Sequence, residues 1–233
     1  MYNKIDLKNK LESIHRKSYP AYKSLRGSYT FGDFVLSIDH VQGDPFAAPS
    51  SLHVELPLKK AGFPEKYFEK SYTKTALEDL ILRKFSAALD QYSFKAKGSG
   101  KSGLISTSRP GPEIMRRTAV EFSSTALIVR FEVGFPANGR TINAQELEKI
   151  LLDFLPQIVK KCLYYQAWDK AKVQETYELA ENQQKIREVL EERKLVAFCA
   201  NGSILPRKNG VSSQPLKDAV AFESPKSMEI TID

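Results

Sequence analysis

The sequence offers few of the groups on which sites are usually built. It holds two cysteines, Cys162 and Cys199, far apart and at no metal-ligand spacing. Neither a disulfide framework nor a zinc site is expected, and both read as thiols rather than bridge partners. The three histidines, His15, His40 and His53, share no ligand spacing. No apolar stretch approaches the length of a membrane span. The first residues, MYNKIDLKNKLESIHRK, lack the apolar centre of a signal peptide. Internal repeats and low-complexity tracts are missing too. These absences predict a cytoplasmic, reduced protein with no membrane among its partners. They also leave no nucleophile, base and orienter at a recognisable spacing, so no catalytic and no metal-binding residues are expected.

Charge is plentiful and unevenly spread. Of 233 residues, 35 are Lys or Arg and 28 are Asp or Glu, a net charge of +7. Between Ser93 and Arg117, six basic side chains (Lys95, Lys97, Lys101, Arg109, Arg116 and Arg117) face the single Glu113, a local charge of +5. The charge-rich stretch from Asp169 to Lys194 is nearly balanced. A cluster of one sign attracts polyanions: nucleic acid, nucleotide phosphates or an acidic partner.

At the centre of the cluster lies Lys97-Gly98-Ser99-Gly100-Lys101-Ser102-Gly103. It contains a Gly-Lys-Ser triplet, but a P-loop also needs a glycine five residues earlier, a strand leading in and a helix leading out. Lys95 holds the glycine position. The segment leading in continues a helical pattern, and Leu104 to Thr107 reads as a strand soon followed by Pro110 and Pro112. The helix dipole that would hold a phosphate is absent. No magnesium carboxylate of a Walker B strand is identifiable, which weakens a reading as a small P-loop-like ATP-binding protein.

The loop reads instead as a basic turn whose glycines let backbone N–H groups converge on an anion. The expected phosphate or nucleic-acid site is Lys95, Lys97, Gly98, Ser99, Gly100, Lys101, Ser102, Gly103, Arg109, Arg116 and Arg117. A flexible, solvated turn is the alternative. A second candidate loop holds Asp39, His40, Gln42 and Asp44, where Asp39 could orient the His40 imidazole. The alternative is that Asp39, Gln42 and Asp44 bond to backbone groups and fix a tight loop. Tyr19, Tyr22, Tyr29 and Phe31, beside Lys23 and Arg26, either stack bases or pack against the core.

Periodicity predicts an α+β fold: mixed or antiparallel sheets with several packed helices and no complete P-loop NTPase core. A first helix capped by Asp6 carries Leu7, Leu11 and Ile14 on one face. Strands run at Phe34 to Ile38 and Leu52 to Leu56. Thr75 and Glu78 form a capping box for a helix through Leu89. Thr118 to Phe122 and Leu127 to Val133 form a hairpin. Asn143 and Glu146 cap a helix with an apolar stripe from Leu147 to Cys162, kinked at Pro156. One or two charged helices follow, then short strands at Leu195 to Phe198 and from Met228 through Ile232.

Several segments resemble a known family. They include Tyr19-Pro20-Ala21-Tyr22-Lys23, the run from Ile38 to Ser50 containing DHVQGDPFAAPS, the glycine loop, and Arg109-Pro110-Gly111. Leu195 to Phe198, Asn201 to Arg207 and Phe222-Glu223-Ser224-Pro225 extend the likeness in order along nearly the whole chain. Together they resemble the amino-terminal region of the ABC-class ATPases. The resemblance implies that residues 1–233 form an accessory domain, with a sub-boundary near 165, and that a nucleotide-binding domain begins after 233. Walker and signature elements, ATP and Mg would belong to that later domain. This chain would hold no cofactor and would not be an enzyme, although its parent would be. Its expected role is binding nucleic acid, single-stranded RNA favoured. The alternative is docking or dimerisation that regulates the ATPase module and contacts its nucleotide, with the chain's own ATPase domain or a second copy as partner.

Overall fold

Strict alternation in the central strands decides which side of the sheet is buried. The computed structural model describes residues 2–230. In chain order its elements are β1 Tyr2–Asn3, α1 Lys4–Ile14, β2 Gly27–Thr30, β3 Val35–His40, β4 Ser50–Pro57, α2 Leu58–Ala61, α3 Ser71–Tyr92, β5 Ile105–Ser106, β6 Val120–Phe122 and β7 Ala126–Val133. Then come β8 Ala137–Asn138, β9 Thr141–Ile142, α4 Ala144–Glu148, a π-helical turn Lys149–Phe154, α5 Leu155–Cys162 and α6 Lys170–Glu192. The fold is α+β, and no P-loop NTPase core is completed within the described residues.

One seven-stranded sheet runs β1-β2-β3-β4-β7-β5, with β6 also pairing β7. Only β1 and β2 are parallel. β8 and β9 form a separate two-stranded ribbon. Leu36, Ile38, Leu52, Val54, Leu56, Leu127, Val129, Phe131 and Val133 point to one face. They share a single core with Leu7 and Leu11 of α1, Leu77, Ile81 and Phe85 of α3, and Ile158 and Val159 of α5. Each such side chain contributes roughly 1.5–3 kcal/mol of burial. The opposite face is polar: Ser28, Ser37, His53 and Arg130 stand in register across β2, β3, β4 and β7.

Helix starts differ from the expected caps. The N-cap of α1 is Asn3, whose side chain accepts from the amides of Ile5 and Asp6 while Asp6 returns a bond to the Asn3 amide. Asp6 is therefore the last residue of the box, at N3, not its first. α3 begins at Ser71, four residues before Thr75, whose hydroxyl donates to the Ser71 carbonyl. Glu78 is drawn away to accept from the Phe122 amide at 2.8 Å. Asn143 does precede α4, but its side chain makes no capping bond.

At Pro156 the helix changes form. The proline lacks an N–H, so the carbonyl of Leu152 loses its helical donor. The chain widens into the π-helical turn, and Lys4 Nζ donates to Leu152 O at 3.3 Å. The charged region after Ala167 is one helix, α6, packed on α3 through Val173 and Ala180. Leu195 to Phe198 forms no strand, and Val196 is fully exposed. Lys226–Met228 is a 3-10 turn rather than the start of a strand; Ile232 lies outside the described residues.

Glu78 is a buried carboxyl on the core's margin, and burial raises its pKa against opposing effects of the Phe122 amide, Lys74 and Arg116. A carboxyl whose folded pKa exceeds its unfolded one destabilises the native state when ionised. That cost is complete above the folded pKa and vanishes as pH falls below the unfolded value of about 4.3. Glu78→Gln keeps an acceptor for the Phe122 amide. It should therefore be more stable than wild type at neutral pH, with the advantage shrinking as pH approaches about 4. Urea denaturation of both proteins across that range tests this.

Candidate functional site

Beyond α3 the chain turns sharply. Phe94 adopts a left-handed conformation, φ 60°, and its amide donates to Gly103 O at 2.7 Å, closing the base of the glycine-rich loop. The loop is then stitched to its surroundings. Lys97 N donates to Glu146 Oε2 (2.9 Å), Ser99 N to Ala137 O (2.7 Å), Lys101 N to Pro45 O (2.8 Å) and Gly103 N to Gly134 O (2.9 Å). The buried Ser102 hydroxyl donates to Ser99 O and accepts from the Ala137 amide at 3.0 Å. Ser99 Oγ accepts from Gly139 N at 2.9 Å.

Two glycines make this close approach possible. Gly100 has φ 62°, and a Cβ there would lie 2.5 Å from Pro45 O. Gly103 has φ 79°, and a Cβ there would overlap the Ala96 carbonyl.

These bonds correct the expectation of a nest of free N–H groups. The amides of Ser99, Lys101, Ser102 and Gly103 donate within the chain. Nor does the loop fit a nucleoside triphosphate with magnesium. The serine after the lysine is buried in hydrogen bonds, and the short strand β5 follows in place of a helix. Those four amides are thus not available to an anion. The loop is also a fixed structural joint, not a loose turn.

Of the six expected basic residues, the structure keeps Lys95, Lys97 and Lys101 on the loop, all exposed. Lys95 lies over the Tyr92 ring at 4.6 Å. Two of the arginines belong elsewhere. Arg117 pairs with the buried Asp79, which also holds Arg83 at 2.6 Å. Arg109 pairs with Asp90 at 2.8 Å. Both thereby fasten the segment after β5 to α3, and Arg116 stays exposed on that segment.

Other cations arrive that the sequence did not suggest. The turn after α1 bonds to the β8–β9 ribbon through Arg16 N to Ile142 O (3.1 Å), Ile142 N to Lys17 O (2.9 Å) and Tyr19 N to Arg140 O (3.0 Å). The same ribbon holds the loop through Ala137 and Gly139. Exposed Arg16, Lys17 and Arg140 thus join the end of the molecule that carries Lys97 and Lys101. Two carboxylates bonded into this end are already engaged: Asp44 with Arg140 at 2.9 Å and Glu146 with Lys149. Burial works against ionisation of Glu146, but bonds from Lys149 and the Lys97 amide outweigh it and hold its pKa low. Lys97 and Lys101 form no ion pair among the described residues.

The second candidate loop does not converge on a ligand. Gln42 is buried: its Oε1 accepts from Ser50 N (3.3 Å) and Phe135 N (3.1 Å), and its Nε2 donates to Asp44 O (3.0 Å). Asp44 also accepts from the Phe46 amide at 3.0 Å. Asp39 pairs with His53 at 2.6 Å rather than with His40, which is exposed. Tyr19, Tyr22 and Tyr29 are buried, with hydroxyls bonded to the carbonyls of Phe135, Pro136 and Leu25. They pack the core and are not free to stack bases. Burial pushes the Cys162 thiol up to about 11, which leaves it unreactive. Among the described residues no cluster of His, Cys, Asp or Glu could hold a metal ion, and no helix is long and apolar enough to cross a membrane.

The joint predicts its own sensitivity. Gly103→Ala forces a side chain into a left-handed conformation and against the Ala96 carbonyl. It should cost about 2 kcal/mol or more in urea denaturation.

Residues 4–166 match the family model of the N-terminal region of ATPases of the ABC class, and residues 169–233 match that of the P-loop domain of the ABC ATPases. No curated protein matches the chain. The chain belongs to the ABC-class ATPase family.

Proposed function

We propose that this chain is a non-catalytic N-terminal module of an ABC-class ATPase and binds single-stranded nucleic acid, RNA favoured, at its glycine-loop end. ATP and magnesium would act in the P-loop domain, whose family model residues 169–233 match in part. The observation that carries the reading is the pair of exposed, unpaired lysines, Lys97 and Lys101, on a rigid joint that also gathers Arg16, Lys17 and Arg140. Unpaired cations on a fixed surface hold phosphates without first giving up internal partners.

Titration of a labelled oligouridylate at several salt concentrations tests this. Affinity should fall steadily as salt rises, with a slope of about −0.7 for each phosphate held. Lys97→Glu combined with Lys101→Glu should weaken binding at low salt by about tenfold or more, while Arg116→Glu should matter less. No binding at low salt, or binding indifferent to salt, would overturn the reading.

A second reading, docking on an ATPase module, rests on a different observation. Val196, Leu205, Val211 and Val220 are exposed beyond α6, in the segment that matches the P-loop domain. A partner docking on this segment would cover these apolar side chains. A purified ATPase domain added in trans should form a stable complex that Val196→Asp weakens. The basic loop would reach nucleotide held by that partner, so loop mutations should weaken it too. Absence of a complex would remove this reading.

A further inference from the structure

Phe46 follows Pro45, whose carbonyl meets the glycine loop, and is 63% exposed. Its backbone is tightly held. The Phe46 amide donates to Asp44 Oδ1 at 3.0 Å, the Ala47 amide to Asp44 O at 3.1 Å, and the preceding Pro45 is buried with its carbonyl bonded to Lys101 N. Asp44 in turn holds Arg140 at 2.9 Å. The glycine at position 100 leaves room beside the ring, since a Cβ there would come within 3.0 Å of Phe46 Cδ1. An exposed aromatic residue thus sits on a hydrogen-bonded turn whose neighbours Asp44 and Pro45 hold the Arg140 guanidinium and the Lys101 amide.

A second exposed aromatic stands at the base of the loop. Phe94 is 54% exposed and is tied by its amide to Gly103 O at 2.7 Å. Tyr19, Tyr22, Tyr29 and Phe31, the aromatics expected to stack bases or pack the core, are by contrast buried or partly buried in the core.

We propose that Phe46 is a base-stacking platform that makes this end selective for single strands over duplexes, with Phe94 as a second contact. A base in a single strand has a free face to lay on the ring, whereas the bases of a duplex are already stacked on one another. Lys97, Lys101 and Arg140 would hold phosphates on either side of the stacked base. This inference rests on the nucleic-acid reading above and adds to it the residue that chooses between strand forms.

The experiment uses the chain as it is, with three probes: a labelled oligouridylate, a labelled RNA hairpin stem and inorganic polyphosphate. Phe46→Ala should weaken oligouridylate binding by about fivefold to a hundredfold, the range expected for one stacked base. Polyphosphate affinity and the salt slope should be unchanged, and the preference over the hairpin stem should fall. Phe46→Trp should restore affinity, and its added fluorescence should quench on binding oligouridylate but not polyphosphate.

If Phe46→Ala binds oligouridylate as wild type does while Lys97→Glu with Lys101→Glu weakens it, the contact is purely electrostatic and the stacking platform is refuted. Equal loss for oligouridylate and polyphosphate, without quenching in Phe46→Trp, refutes it too. Failure of all three probes to bind at low salt sinks the nucleic-acid reading itself and the platform with it.

Discussion

The carbonyl oxygen of Ala96 occupies the place where any residue but glycine at position 103 would put its β-carbon. The organisation of this end of the molecule follows from that contact. Because the chain folds back so closely on itself, Phe94 can close the loop on Gly103, and Gly103 can bond to Gly134 just beyond β7. The loop then meets the Pro45 carbonyl on one side and the β8–β9 ribbon on the other. The loop, the Pro45 turn and the stretch from Gly134 into the ribbon are held together by backbone bonds, with the side chains of Glu146, Ser99 and Ser102 adding to them. A glycine-rich run that resembles a phosphate cradle has thus used its amides for architecture, and what it presents outward is cationic side chains.

Electrostatics divides the basic residues into two groups. The carboxylates of α3 lie where they capture the segment after β5: Asp79 takes Arg83 and Arg117, and Asp90 takes Arg109. Asp79 is nearly inaccessible to solvent, and removing one partner of such a buried pair typically costs about 3–5 kcal/mol. Arg117 is therefore committed to the fold. The lysines of the glycine loop face no comparable acceptor. Asp44 and Glu146, which could have neutralised them, are engaged with Arg140 and Lys149, and Glu146 also takes a backbone amide. The +5 of the sequence segment thus includes Arg109 and Arg117, paired to carboxylates of α3, and Lys97 and Lys101, without an ion pair among the described residues.

Much of the scaffold was legible because the periodicity was clean. Leu52, Val54 and Leu56 alternate, and so do Leu127, Val129 and Phe131, and the strands lie where that alternation places them. The stripe from Leu147 to Cys162 likewise marked its helix, and Pro156 marked the irregularity. Capping was less legible, since several polar residues near each start compete. Glu78 shows why: an isolated sequence offers it a capping role, but the tertiary fold offers it the Phe122 amide, and the tertiary bond prevails. The site was legible by half. Lys97 and Lys101 stood out by local charge, whereas Arg16, Lys17 and Arg140 reach the same end only through pairing of the first helix's turn with a ribbon more than a hundred residues later. No spacing rule encodes that meeting. Phe46 was hidden for the opposite reason: as one aromatic in a turn-rich run, it had no periodic partner to mark it as exposed.

The boundary between the two family-model matches, between residues 166 and 169, falls just before α6. Packing does not stop there. Val173 and Ala180 are buried, Tyr177 meets Tyr67 with ring centroids 5.6 Å apart, and Glu181 accepts from both Lys70 (2.9 Å) and Tyr72 (3.1 Å). A helix matched to the P-loop domain is therefore anchored on α3 of the preceding module, and α3 leads directly into the cationic loop. Val189 and Leu190, further along α6, are only partly covered, and the apolar side chains after it are exposed. One end of α6 is thus bound to the module by apolar burial and hydrogen bonds, while the other carries an unsatisfied apolar surface. This helix of 23 residues thus links α3 of the first matched region to the segment that follows in the second.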